Sequence, residues 1–255
     1  MREGGDAAPL FCFHAVGGTA FRYAALADHL PDAIPVFGLQ ASGIEDGEPL
    51  DSSVEAMAQR YLAAIRSRQT HGPYRLLGWS FGGLVAYQTA CRLRAKSEEV
   101  ELLALLDTPV PAGRSAVLDD ARVLRALAGQ LFGPAVFAAD WQAPADLSAL
   151  IARARAHGIT ELSDALARRL FAVVRHCLAA TQAYRPGRYD GELSIVRATQ
   201  PMPDAAAMTA ADDPRDWQAF SGRPLRVTEL ACTHLDLGQA ERGRAIASLV
   251  ARWLA

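Results

Sequence analysis

Apolar residues in this chain follow two rhythms. Short, nearly continuous apolar runs occur at Pro9 to Phe13, Pro35 to Gln40, Tyr74 to Leu77, Val100 to Asp107, Glu192 to Ala198 and Leu225 to Leu230. Runs of this length and composition suit strands buried on both faces. Between them the spacing widens to three and four. Phe21 to Leu30 reads as a helix that Pro31 ends. Ser52-x-x-Glu55 has the form of a capping box, and the helix it opens carries the stripe Val54, Met57, Ala58, Tyr61, Leu62 and Ile65. Phe81 to Lys96 presents Leu84, Tyr87 and Cys91 on one face, and Glu241 to Leu254 presents Ile246, Leu249, Val250 and Trp253. Strand and helix alternate, which predicts an α/β fold whose mostly parallel sheet is flanked by helices and joined by right-handed crossovers.

The alternation breaks after Pro111. From about Leu118 to Tyr184 the pattern is helical only, in stretches near Leu118 to Phe132, Ala145 to His157 and Thr160 to Tyr184. Gly133-Pro134, Pro144, Gly158 and Pro186-Gly187 punctuate them. A helical insertion in such a sheet protein tends to cover the carboxyl ends of the strands, where ligands bind. The expectation is one domain over residues 1–255, with a core at about 9–110 and 188–255 and a helical lid at about 111–187. The competing reading is a helical layer without a gating role.

Composition narrows this picture. At 255 residues with 51% hydrophobic content, the chain can build one large α/β core. A formal net charge of −2 gives no reason to expect nucleic acid or an anionic membrane as partner. No apolar run reaches membrane-spanning length, and the residues from Met1 to Asp6 lack the apolar core of a signal peptide. Cys12, Cys91, Cys177 and Cys232 lie far apart in apolar settings, without metal-ligand spacing, and read as reduced core thiols of a cytoplasmic protein. The first strand begins by Leu10, as in a compact free-standing enzyme or a domain cut from a longer chain.

The chemistry concentrates at Gly78-Trp79-Ser80-Phe81-Gly82. Gly-x-Ser-x-Gly between a strand and a helix is the pattern of a nucleophile elbow, a strained turn that pushes the serine hydroxyl clear of the backbone. The alternative is a turn whose serine merely caps the helix. A serine hydroxyl needs a base, and a histidine base needs a carboxylate to hold its tautomer. In α/β-hydrolases these follow in the order serine, acid, histidine, and Ser80, Asp107 and His234 satisfy that order at three strand ends. His29, His71, His157 and His176 sit in helix, loop or lid settings, and His14 lies in the glycine loop at the wrong place for the base. For the acid, Asp107 ends its strand directly, whereas the alternative, Asp204, stands several residues into a proline-rich loop. Asp236 could instead cap the last helix. His14-Ala15-Val16-Gly17-Gly18 after the first strand lets the backbone fold close to a ligand and present amides.

Four stretches carry a resemblance: Leu10-Phe11-Cys12-Phe13-His14-Ala15-Val16-Gly17-Gly18, Val36-Phe37-Gly38-Leu39-Gln40-Ala41-x-Gly43, Gly72-Pro73-Tyr74-Arg75-Leu76-Leu77-Gly78-Trp79-Ser80-Phe81-Gly82-Gly83 and Leu105-Leu106-Asp107. Together they resemble the thioesterase domains that end nonribosomal peptide and polyketide assembly lines, which have the α/β-hydrolase fold. The likeness is dense up to Thr108 and thin across the lid. It implies that Ser80 takes an acyl or peptidyl chain from a carrier-protein phosphopantetheine thiol and releases it by hydrolysis or macrocyclisation. Asp107 would be the acid, His234 the base, and the amides of Val16 and Phe81 the oxyanion hole. No metal and no cofactor of the domain's own is implied. The partner would be a carrier protein domain, upstream in the same natural chain. Cys232 stands where many members have glycine, and Cys-x-His-x-Asp is similar to the ending of siderophore-type synthetase thioesterases. Arg168 and Arg175, seven apart on one lid helix, are either a solvated face or a meeting place for an acidic carrier. Rival readings are a free-standing editing thioesterase, a general carboxylesterase, and a hydrolase fold kept only for binding.

Overall fold

The computed structural model describes residues 1–110, 117–137, 141–159, 162–202 and 213–254. Among the described residues, six parallel strands form one sheet in the order β2-β1-β3-β4-β5-β6. They are β1 (Leu10–Phe13), β2 (Val36–Leu39), β3 (Tyr74–Trp79), β4 (Val100–Leu106), β5 (Leu193–Ala198) and β6 (Leu225–Leu230). The central strands β1, β3, β4 and β5 are mostly buried, as continuous apolar runs require, whereas the edge strands β2 and β6 are more exposed.

α1 (Ala24–Ala27) follows a 3-10 turn at Phe21–Tyr23, so the expected ten-residue helix is much shorter. α2 (Val54–Arg68) buries all six residues of its predicted stripe. Burial of a side chain such as Met57, Leu62 or Ile65 is worth roughly 1.5–3 kcal/mol. The cap is Ser53 rather than Ser52: its side chain accepts from Ala56 N–H at 3.2 Å. α3 (Phe81–Arg94) runs from the elbow, and α7 (Gly243–Trp253) closes the fold with Ile246, Leu249 and Val250 buried. Cys12, Cys177 and Cys232 are buried and Cys91 half-buried, all as free thiols.

The insertion contains α4 (Asp120–Phe132), α5 (Leu147–Ala156) and α6 (Asp164–Ala183), each opened by a side-chain cap from Asp119, Asp146 and Ser163. Among the described residues no helix is long and apolar enough to cross a membrane.

The strand order reverses between β1 and β3. In open α/β sheets the crevice at that switch point, at the carboxyl ends of the strands, is where ligands bind. The glycine loop leaves β1 there and Ser80 leaves β3, side by side.

Candidate active site

Ser80 has φ 56° and ψ −125°, a conformation that side-chain-bearing residues rarely adopt. The turn is set by what flanks it. A Cβ on Gly78 would collide with the Gly82 backbone, and a Cβ on Gly82 would lie 2.5 Å from the His14 carbonyl oxygen and closer still to that of Phe13. Ser80 N–H donates to Leu106 O at 2.9 Å, which pins the tip of the turn to the end of β4. The Tyr23 hydroxyl ties it to β1: it donates to Phe13 O at 2.7 Å and accepts Trp79 N–H at 2.8 Å. The Ser80 side chain makes no helix cap, which removes the capping alternative.

His234 Nε2 lies 3.0 Å from Ser80 Oγ, and its Nδ1 lies 2.7 Å from Asp107 Oδ2. The carboxylate accepts, so Nδ1 carries the proton and Nε2 offers its lone pair to the serine O–H. The imidazole and carboxylate are only 14% and 11% exposed, so water competes little for these bonds. Trp79 packs beside the imidazole with ring centroids 5.4 Å apart.

Asp107 is fixed at several points. It sits at φ 45°, its N–H donates to Val196 O at 2.7 Å, and its Oδ1 accepts Ala198 N–H at 3.0 Å. The next carbonyl, of Thr108, accepts from the buried Trp217 Nε1–H at 3.2 Å. Asp204 lies outside the described residues. Asp236 does not cap α7. Its Oδ2 accepts from the N–H and hydroxyl of Thr233 at 2.7 and 2.8 Å, closing the turn that carries His234.

Phe81 N–H opens α3, where the helix dipole favours negative charge, and Val16 N–H lies in the glycine loop. Neither amide donates to an acceptor among the described residues. The insertion rests on this loop. A Cβ on Gly17 would meet Gln130 Cγ of α4 at 2.7 Å, and one on Gly18, at φ 82°, would meet Val173 Cγ1 of α6 at 2.7 Å. Arg22 joins the same parts: its guanidinium donates to Gly238 O at 3.0 Å and to Gln130 O, and lies over the Trp79 ring. Tyr23, Arg22 and Trp217 had no signal in the sequence, because each acts through contacts distant along the chain.

Of the other histidines, His14 is fully buried, and among the described residues His234 is the histidine bonded to Ser80. Arg168 is exposed, whereas Arg175 is bonded to Asp120 and lies over the Phe171 ring, so the expected pair is not a shared free face.

A mostly buried carboxylate–imidazole–hydroxyl chain beside two amides that donate to no acceptor among the described residues can perform acyl transfer. The model of the family described as thioesterase domain matches residues 8–254. This chain belongs to the thioesterase domain family. The thioesterase domain is 31% identical over 256 residues to malpibaldin synthetase of Mortierella alpina, covering 99% of this chain and 4% of that protein. It is 30% identical over 249 residues to a dimodular nonribosomal peptide synthase of Bacillus subtilis (strain 168), covering 94% of this chain and 10% of that one. The chain thus spans a small part of the curated relatives it matches. Among solved structures, a four-domain nonribosomal peptide synthetase bound to AMP and glycine superposes with a TM-score of 0.83 at 25% identity, over 98% of this chain and 20% of that one. The NocB thioesterase domain, solved as a covalent complex with a fluorophosphonate nocardicin G analogue, shares the fold. Its TM-score is 0.70 at 24% identity, over 98% of this chain and 96% of that one. The thioesterase domain therefore has the α/β-hydrolase architecture expected from the sequence.

Proposed function

We propose that this domain releases an acyl or peptidyl chain from the phosphopantetheine thiol of a carrier protein, with Ser80 as nucleophile, His234 as base and acid, and Asp107 as its orienting carboxylate. The observation that carries this reading is the continuous hydrogen-bond chain from Asp107 through His234 to Ser80 at a strained turn. Family membership and the multidomain synthetases among the relatives support a carrier-bound thioester as the substrate.

In this mechanism Ser80 Oγ bonds to the thioester carbonyl carbon while its proton passes to His234 Nε2. The carbonyl oxygen becomes an oxyanion held by the N–H groups of Phe81 and Val16, and Asp107 stabilises the imidazolium. Collapse breaks the carbon–sulfur bond, and Nε2 returns its proton to the departing thiolate. Water, or a nucleophile within the acyl chain, then attacks the Ser80 ester after giving a proton to His234, and Ser80 leaves with that proton. The domain itself contributes no cofactor to these steps. In this reading the insertion is the lid: α4 and α6, which contact Gly17 and Gly18 through Gln130 and Val173, would shield the acyl-serine from water.

The test is to present one acyl chain on a carrier protein, on coenzyme A and as a simple ethyl ester. The carrier-bound form is expected to have the highest kcat/KM. Equal kcat/KM for the ethyl ester would replace this reading with a general carboxylesterase, and preference for coenzyme A would remove the carrier.

A further inference from the structure

His14 follows β1 and is fully buried, and the steps above do not use it. Its Nδ1 lies 2.7 Å from the carbonyl oxygen of Ala15. A carbonyl only accepts, so the ring proton is on Nδ1. Nε2 is left as a buried lone pair with no donor among the described residues. Burial holds the ring's pKa down to about 4, so at neutral pH the imidazole is uncharged. A buried histidine with one nitrogen orphaned is costly, and the bond made by the other nitrogen is where its use must lie.

The Ala15 carbonyl and the Val16 N–H are two ends of one planar trans peptide and point in opposite directions. The same carbonyl also accepts Gly18 N–H at 3.0 Å. Two donors on one oxygen fix the plane, and the Val16 N–H is held on the far side, with no acceptor of its own among the described residues. His14 reaches the other proposed oxyanion donor as well. Its ring lies 5.8 Å from that of Phe81, and its carbonyl backs onto Gly82. Tyr61 packs on the same ring, edge-on at 5.8 Å, and the imidazole is fully buried.

We propose that His14 is the positioning residue of the oxyanion site: its Nδ1–H locks the Ala15–Val16 peptide so that the Val16 N–H is aimed before substrate arrives. This rests on the reading of Val16 as an oxyanion donor. Donors fixed in advance need no reorganisation as the charge develops. With the Nδ1–H gone, only Gly18 N–H restrains the plane. A turn of the peptide would then direct a carbonyl oxygen toward the developing charge.

The test compares the unmodified protein with His14→Phe, which keeps a ring without a donor, and His14→Asn, whose amide N–H occupies the place of Nδ1–H. With an acyl N-acetylcysteamine thioester, His14→Phe is expected to lower kcat by about 10–100-fold, less than the roughly 10²–10³ for deleting an oxyanion donor. KM should stay nearly constant, and His14→Asn should recover most of the loss. An alkyl trifluoromethyl ketone, its Ser80 adduct verified by the fluorine signal, supplies the direct readout. The Val16 amide proton should move downfield on adduct formation in the unmodified protein and much less in His14→Phe.

Equal Val16 shifts in both proteins would overturn the positioning role while leaving Val16 as donor. No Val16 shift in the unmodified protein would overturn the oxyanion reading, and this inference with it. If His14→Phe fails to fold, the ring nitrogen chemical shifts of the unmodified protein decide. A protonated Nδ1 with a bare Nε2 supports the proposal, and the reverse tautomer ends it.

Discussion

Asp107 Oδ1 accepts the N–H of Ala198 at 3.0 Å, and through this bond the end of β5 decides which way the carboxylate faces. In Asp107→Asn the amide oxygen would keep this partner, because Ala198 can only donate. The NH₂ would then face His234 Nδ1 and force the proton onto Nε2, the tautomer that cannot accept from Ser80. Loss of kcat by about 10⁴-fold with little change in unfolding midpoint is expected. Asp204→Asn should keep most activity. The reverse ranking in steady-state assays would move the acid.

The elbow is built by exclusion. Any Cβ on Gly82 lies within 2.5 Å or less of two backbone carbonyl oxygens at the end of β1, and backbone yields less readily than a flexible side chain. Gly82→Ala should therefore destabilise the fold on the order of 3 kcal/mol, as overpacking does, and depress acylation as well. Urea unfolding checks the first part; an unchanged midpoint would contradict it.

Arg22 is a mostly buried cation whose partners among the described residues are carbonyls and an aromatic ring rather than a carboxylate. Arg22→Met would leave the carbonyls of Gly238 and Gln130 without their donor, at a cost of about 3 kcal/mol in urea unfolding. Arg22→Lys should recover only part, because a single ammonium lacks the planar fork that reaches both.

Stability should fall on the acid side through His14. Burial is the largest cause of its lowered pKa; the bond to Ala15 opposes it, Arg60 adds to it and Asp51 opposes it. The folded value of about 4 lies below the ordinary 6.5, so between these two pH values the unfolded chain binds a proton that the folded chain refuses. The stability contributed is complete above about 6.5 and declines as pH falls to about 4, by on the order of 3 kcal/mol. Urea midpoints across this window should drop for the unmodified protein and drop less for His14→Phe.

The strands, the α2 stripe and the three residues that meet at Ser80 were legible because periodicity and chain order encode them locally. Even there the cap moved from Ser52 to Ser53, since a capping motif states a spacing and not which of two adjacent serines turns inward. The helix expected from Phe21 to Leu30 shortened to a 3-10 turn and α1. Arg22 and Tyr23 in that stretch reach out to Gly238, Gln130, Phe13 and Trp79. Such residues were illegible: Tyr23 is one tyrosine among several until β1 and β3 lie side by side, and Trp217 is an indole in a loop until Thr108 presents its carbonyl. His14 is out of order for a base, and only the 2.7 Å contact with Ala15 O gives its buried ring a direction.

The central claim is that Ser80 carries the acyl chain, and intact-protein mass spectrometry after mixing with an acyl N-acetylcysteamine thioester tests it most directly. The account predicts a mass increase of one acyl group, mapped by digestion to the peptide containing Ser80, and no increase in Ser80→Ala. An acyl adduct of the same mass persisting in Ser80→Ala would contradict it.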